Sequence, residues 1–168
     1  NDGDLRVSLA ERGLGLAYRG LKQFDDARAQ YLRALDLFAE LGHHTGQAQT
    51  HVNLAWLAGA QGRHVEALEH SRQSLRQYKA AGSREGQASA LNAIGWLHAL
   101  LGDYRMAVDH CRRALVLHRE LGNRRGEAAT LDSLGYAYQQ LSQHSEALAC
   151  YRRSLGLFRE LADRFYVA

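Results

Sequence analysis

Nine histidines and two cysteines are among the residues of this 168-residue chain that could ligate a metal ion or act as nucleophiles. His110 and His118 are eight residues apart, too far for one metal without a ligand from another element. A nucleophilic cysteine would need a base and an activating third group, and the sequence indicates neither. We therefore predict a non-enzyme with no catalytic residues, no metal ligands and no cofactor.

Several histidines can be interpreted as packing residues when the chain is divided into repeating units of forty residues. His98 stands where other units have Tyr18 and Tyr138, and His64 stands where another has Phe24. Alanine occurs at one position in every unit, which we interpret as the closest approach of two helices; these residues are Ala27, Ala67, Ala107 and Ala147. Self-similarity at a fixed period of about 20–50 residues is typical of a solenoid.

The clearest copy of the repeat reads Leu131-x2-Leu134-Gly135-x2-Tyr138, followed by Ala147-x3-Tyr151. It resembles the tetratricopeptide repeat (TPR), whose signature is Trp-x2-Leu-Gly-x2-Tyr and then Ala-x3-Phe. The chain departs from that family in having a forty-residue period and no proline. The resemblance implies an all-α fold, a right-handed TPR superhelix (α-solenoid) of four antiparallel helix pairs. Below, the first and second helices of each repeat are its A helix and B helix.

The repeat register predicts a single repeat domain over residues 1–168 and eight helices. Residues 1–4 are expected to fray, and residues 163–168 to begin a truncated fifth repeat. The predicted repeats cover about 5–42, 43–82, 83–122 and 123–162. The predicted helices cover 5–21, 24–41, 45–61, 64–81, 85–101, 104–121, 125–141 and 144–161.

The loops between these helices carry their own repeated chemistry. Gly42, Gly82 and Gly122 suit the left-handed position after a helix, and Gly62 and Gly102 end the A helices. Polar residues that follow or neighbour these glycines are predicted N-caps of the next helix, namely Ser83, Asp103, Asn123 and, in the last unit, Asp163. His43 interrupts this series of caps.

The composition of the chain is typical of a folded protein that does not lie in a membrane. Hydrophobic residues make up 46% and charged residues 23% of the sequence, and no apolar run is long enough to span a bilayer. We expect a soluble, cytoplasmic protein. The net charge is +3, but the arginines are spread over every repeat beside acidic residues, as in Arg119-Glu120, which favours a solvated surface over direct nucleic-acid binding.

The TPR resemblance also implies a binding surface, because A helices line the concave groove in that family. Carried onto this chain, the groove-facing residues are Arg12, Leu16 and Arg19; Val52, Trp56 and Gly59; Asn92, Trp96 and Ala99; and Asp132, Tyr136 and Gln139. Asn53 and Ser133 neighbour this face and offer hydrogen bonds. The alternative is that the aromatic residues fill the seam between successive A helices.

A narrower resemblance links Ala147–Leu155 and the following Phe158–Arg164 to the C-terminal repeats of actinobacterial SARP-type regulators and their NTPase-containing relatives. It implies a bacterial regulatory or sensor module that binds a protein or peptide segment and serves transcriptional regulation. The alternative function is self-association as a homodimer, through a last helix that presents Leu148, Leu155, Leu157 and Phe158.

Overall fold

A computed structural model describes the backbone of residues 2–166 and the side chains of residues 3–162. These residues form eight α-helices joined by three-residue loops. The helices are α1 (Asp2–Gly20), α2 (Phe24–Glu40), α3 (His44–Ala60), α4 (His64–Ala80), α5 (Arg84–Leu100), α6 (Tyr104–Glu120), α7 (Arg124–Gln140) and α8 (His144–Tyr166). The all-α prediction is confirmed, and each predicted boundary between α1 and α8 lies within one residue of the observed one.

The helices pack as four consecutive pairs, α1 with α2, α3 with α4, α5 with α6, and α7 with α8. They form two compact units, divided between Ser83 and Arg84, with two pairs in each. In the first unit α3 also packs on α1 and α2, and in the second α7 also packs on α5 and α6. The single domain predicted over residues 1–168 stays a prediction. Within residues 2–166, no helix has both the length and the apolar character needed to cross a bilayer.

One backbone motif closes every joint between helices. At the first glycine joint, the His43 N–H donates to the Phe38 carbonyl at 2.9 Å and the Gly42 N–H donates to the Ala39 carbonyl at 3.0 Å, as in a Schellman motif. Glycines hold the left-handed position at five joints, as predicted, with φ between 62° and 83°. Lys22 and Ser142 hold it at the other two, with φ of 60° and 59°. Side chains with a Cβ are strained there.

Side-chain caps follow the predicted positions with one correction. Asn123 accepts from the Gly126 N–H at 2.8 Å, and Asp103 accepts from the Met106 N–H at 3.4 Å. His43 was expected to break the series, but its Nδ1 accepts from the Gly46 N–H at 2.9 Å. A neutral imidazole nitrogen has a lone pair and can cap a helix as a carbonyl oxygen does. The N-cap role of Ser83 stays a prediction.

The two ends of the array differ from the sequence-based boundaries. Helix α1 begins at Asp2, so residues 2–4 are helical where fraying was predicted, and acidic Asp4 lies in a first turn that favours negative charge. Asn1 lies outside the described residues. Helix α8 continues to Tyr166, through the predicted cap at Asp163, because Ala162 replaces the glycine that ends the other B helices. The side chain of Asp163 and all of residues 167–168 lie outside the described part.

Close approach of the A and B helices fixes residue size at matching positions. A methyl group on Gly135 would lie 2.9 Å from Cε1 of Tyr151, too close for a stable contact. The same crowding recurs in other repeats; the three pairs are Gly15 with Tyr31, Gly95 with Cys111, and Gly135 with Tyr151. The second repeat has Ala55 and Ser71 at these positions, a larger residue on the A helix with a smaller one on the B helix. The four repeated alanines are all buried.

A buried carboxylate joins three helices of the second unit. Glu127 in the first turn of α7 is 4% exposed. Its Oε1 lies 2.9 Å from Nε of Arg119 in α6 and 2.9 Å from Nη2 of Arg153 in α8. Both arginines remain partly exposed, so solvent screens them while the carboxylate between them is enclosed. Glu127 therefore ties α6 and α8 to the start of α7.

Candidate functional site

The predicted groove residues lie on the A helices α1, α3, α5 and α7, and most of them reach solvent. Trp56 is 50% exposed and Trp96 is 38% exposed, so neither tryptophan is enclosed in a core. The other exposed members are Leu16, Val52, Asp132 and Gln139, and the half-buried ones are Arg12, Arg19, Asn53, Gly59, Asn92 and Tyr136. Within each unit these residues form an exposed face that is both aromatic and polar.

In the first unit this face is organised around Trp56 of α3. The guanidinium carbon of Arg19, in α1, lies 4.5 Å from the centroid of the indole ring, in the range of a cation–π contact. About two turns toward the start of α1, Arg12 donates a hydrogen bond from Nη1 to Oε1 of Gln49. These contacts join α1 to α3 and fix the indole orientation while leaving half of the ring open to a partner.

In the second unit the corresponding residue is Trp96 of α5. Its ring lies 5.3 Å from the ring of Tyr136 in α7, tilted by 57°, and this separation is in the range of aromatic pairs in proteins. Two polar residues of these A helices contact their B helices: Gln139 of α7 accepts from the Tyr151 hydroxyl of α8 at 3.1 Å, and Oδ1 of Asn92 in α5 lies 3.9 Å from the Cys111 thiol of α6. Trp96 thus contacts the next A helix and remains partly exposed, which combines features of the groove and seam interpretations.

Two residues assigned to this face in the sequence are not available to a partner. Ala99 is buried, packed with Ala107 and Ala137 between helices, because α7 comes close to α5 at that level. Ser133 is also buried, and its hydroxyl donates to the carbonyl of Ala129 one turn earlier, at 3.2 Å. Both are therefore packing residues.

Four of the nine histidines form two pairs, one in each unit. Nδ1 of His51 in α3 lies 3.1 Å from Nδ1 of His70 in α4. Burial and the adjacent His70 lower the pKa of His51 to about 4, and burial also lowers the pKa of His70. In the other unit the rings of His98 and His110 stack with centroids 5.3 Å apart. Among the described residues, no group of three or more metal-ligating side chains converges.

Both cysteines are free thiols, Cys111 buried and Cys150 half-buried. Cys111 is fully buried in the core of the second unit, and burial raises its pKa to about 12. Burial raises the pKa of Cys150 as well, against the opposing effect of Arg112. A raised pKa disfavours the thiolate, which is the nucleophilic form. Cys111 therefore occupies the tyrosine position of the repeat as a small core residue, as the sequence predicted.

Sequence reasoning missed the contacts that run between the helices of a pair. His51 faces His70 and Asn92 faces Cys111, and both pairs are 19 residues apart in the sequence. That spacing follows from two antiparallel helices joined by a three-residue loop, so it could have been read from the repeat register. The contact of Arg112 with Tyr138, across 26 residues, crosses from one repeat to the next.

Consecutive antiparallel helix pairs, glycine joints and an exposed A-helix face define a helical-repeat protein. The tetratricopeptide repeat family matches residues 6–80, 60–115 and 86–160, so the chain belongs to that family. No curated protein matches the sequence significantly.

Solved structures with the same fold include BtubC from P. vanneervenii, with a TM-score of 0.83 and 21% identity over 92% of this chain and 64% of that one. The apo form of RapI has a TM-score of 0.89 and 21% identity over 97% and 60%. A Rap protein complexed with competence and sporulation factor has a TM-score of 0.82 and 20% identity over 97% and 46%. This chain therefore spans 46–64% of the length of these three proteins.

Proposed function

We propose that this TPR module binds a protein or peptide segment on the exposed faces of its A helices and carries out no catalysis. The observation that carries the proposal is the pair of half-exposed tryptophans, Trp56 and Trp96, each oriented by a neighbouring helix. Tryptophan is among the residues that contribute most to binding energy in protein interfaces. An indole that is already held in place loses little conformational freedom on binding.

The surroundings of each tryptophan suit a peptide. In the first unit Arg19 lies against Trp56 and Arg12 lies further along the same face of α1, beside Gln49. In the second unit Asn92 and Asp132 offer an amide and a carboxylate on the two A helices that carry Trp96 and Tyr136. An aromatic anchor with polar groups around it is the usual anatomy of a peptide interface. A Rap protein of similar fold is complexed with competence and sporulation factor, which supports a binding role for such a scaffold.

The wider setting we propose is a regulatory or sensor module of a bacterial transcriptional regulator. It rests on the resemblance of Ala147–Leu155 and the residues after it to the repeats of SARP-type regulators. Sequencing the surrounding reading frame tests this setting, because attached DNA-binding or nucleotide-binding domains support it. A frame with neither kind of domain contradicts it.

The binding role is tested with peptides selected from a displayed random library on the unmodified protein. Trp56→Ala and Trp96→Ala are expected to weaken at least one selected peptide by ~2 kcal/mol, or about thirtyfold. Val65→Ala is the matched control, since Val65 is an exposed apolar residue on the B helix α4. Affinity that survives both tryptophan substitutions, or falls equally with the control, contradicts the proposed surface.

Tryptophan fluorescence gives a test that needs no ligand. The protein has only two tryptophans, so each single variant reports on the other one. We expect acrylamide to quench both, Trp56 more than Trp96, because Trp56 is the more exposed ring. Selected peptides should then protect the indole that they cover. Shielded tryptophans in the free protein would show that these rings are structural.

Self-association is the second candidate, and the surface of α8 favours it. Leu148, Leu155 and Phe158 are exposed there, whereas Leu157, which the sequence placed with them, is buried in the core of the second unit. Large exposed apolar patches mark interaction sites. Light scattering at two protein concentrations tests this candidate, and Phe158→Glu should abolish any dimer that forms through α8. A monomer at both concentrations contradicts it.

A further inference from the structure

A cavity of about 350 Å³ lies in the second unit, away from the A-helix face. Its walls come from α6, from the end of α7 and from the loop that leads into α8. The lining residues are Arg105, Val108, Arg112, Tyr138, Leu141 and Gln143. It shares none of them with the proposed peptide surface.

The two arginines in this cavity have no acidic partner among the described residues. Arg112 donates from Nε and Nη2 to the Tyr138 hydroxyl, at 3.0 Å and 2.6 Å, and these contacts hold its guanidinium against the cavity wall. Its neighbour Arg113, in contrast, lies 3.6 Å from the carboxylate of Asp109. The cavity therefore presents two exposed guanidinium groups, neither of which forms an ion pair with a described carboxylate.

Hydrogen-bond donors also predominate on this wall. A guanidinium has only donors, and the Nη1 group of Arg112 has no described partner. Because the Tyr138 oxygen already accepts from Arg112, its own proton is left to donate, and no described acceptor takes it. A ligand that fits must supply acceptor oxygens and negative charge.

The remaining lining limits the size and character of such a ligand. Val108 and Leu141 add apolar surface beside the arginines. Ligand pockets usually measure about 300–1,000 Å³, so this cavity is at the small end of that range. It fits a small molecule that has an anionic group and a compact apolar body.

The equivalent positions one repeat earlier do not carry the same charge. Val65 takes the place of Arg105, and Asp103 takes the place of Gln143. Arg72 still takes the place of Arg112, so this earlier set carries one arginine and one aspartate where the cavity has two arginines. The doubly basic set is specific to the junction of the third and fourth repeats.

We propose that this cavity is a binding site for a small organic anion, a carboxylate or a phosphate ester with a compact apolar group. Arg112 and the Tyr138 hydroxyl bind the oxyanion, Arg105 adds positive charge, and Val108 and Leu141 contact the apolar body. The site is independent of peptide binding on the A helices.

Isothermal titration of the full chain with four probes tests the site. Benzoate and phenyl phosphate distinguish a carboxylate from a phosphate, inorganic phosphate lacks the apolar body, and benzyl alcohol lacks the charge. We expect one aromatic anion to bind at least about tenfold more tightly than benzyl alcohol, because hydrogen bonds to a charged group are stronger. It should also bind at least about tenfold more tightly than inorganic phosphate, because only the aromatic anion buries apolar surface. Binding of neither aromatic anion, or equal binding of benzyl alcohol, overturns the proposal.

Substitutions then locate the bound anion. Arg112→Gln should weaken binding at least about tenfold, and Arg112→Lys should recover part of it, because lysine keeps the charge but loses the fork of donors. Arg113→Gln is the matched control and should leave affinity unchanged. Arg105→Gln provides a second lining variant if Arg112→Gln alters the melting temperature. An anion whose affinity falls equally with Arg113→Gln, or with neither lining variant, binds elsewhere and overturns the proposal.

Discussion

Removing the carboxylate of Glu127 tests how the second unit is held together. Exposed ion pairs contribute about 0–1 kcal/mol each, while breaking a buried pair costs about 3–5 kcal/mol. Glu127 is enclosed, but the side chains of Arg119 and Arg153 are 41% and 56% exposed, so water can solvate both when the carboxylate is lost. We therefore take ~1 kcal/mol for each contact, and Glu127→Ala should lower the free energy of unfolding by ~2 kcal/mol.

Urea unfolding of the parent and its variants measures this difference. Glu127→Gln keeps the side-chain shape and one acceptor, so about half of the loss is expected, or ~1 kcal/mol. The control is Glu120→Gln, which removes an ion pair with Arg84 that is exposed on both sides and should change stability by less than ~0.5 kcal/mol. If Glu127→Ala unfolds within ~0.5 kcal/mol of the parent, these contacts contribute nothing net and the reasoning fails.

Ala107→Leu should cost ~1–3 kcal/mol by overpacking a fully buried site, and a melting temperature equal to the parent's would contradict the close approach of α5 and α6. Ser142→Gly should stabilise by ~0.5–1 kcal/mol in urea by relieving a left-handed residue, whereas Gly102→Ser should destabilise similarly. Burial lowers the pKa of His51 to about 4 in the folded protein, whereas the unfolded chain has the ordinary value of 6.5. As the pH falls the unfolded state therefore binds the proton first, so the free energy of unfolding is highest above pH 6.5 and decreases toward pH 4. His51→Phe should flatten that acid dependence of the urea midpoint, and an unchanged slope would contradict it.

Most of the fold could be predicted because the same residues recur at the helix boundaries of successive repeats. Glycines at a fixed period marked five of the seven joints, and the same register placed α2 to α7 within one residue. The end of α8 was missed because Ala162, unlike glycine, lets a helix continue. The cap at His43 was missed because cap preferences describe oxygen acceptors, and an imidazole nitrogen can accept as well.

The candidate surface could be predicted only in outline. Repeat position identified the faces that carry Trp56 and Trp96, but the burial of Ala99 depends on how closely α7 approaches α5. Sequence spacing did not indicate that distance. The cavity near Arg112 could not be predicted for a related reason, because its walls come from neighbouring repeats. Its charge also depends on which arginines lack a carboxylate partner, and sequence spacing does not show that.

Residues that face each other between an A helix and its B helix must match in size, and this limits the order in which they can be substituted during evolution. A glycine such as Gly95 cannot become alanine while Cys111 fills the facing space, so the B-helix residue has to shrink first. The second repeat, with Ala55 and Ser71, has the sequence expected at the end of such a path. Tyr31 closes the same path in the first repeat, because shrinking a fully buried tyrosine first would leave a large void. Substitutions at these two positions, which lie on different helices, are therefore expected to occur as a pair, with the B-helix residue changing first.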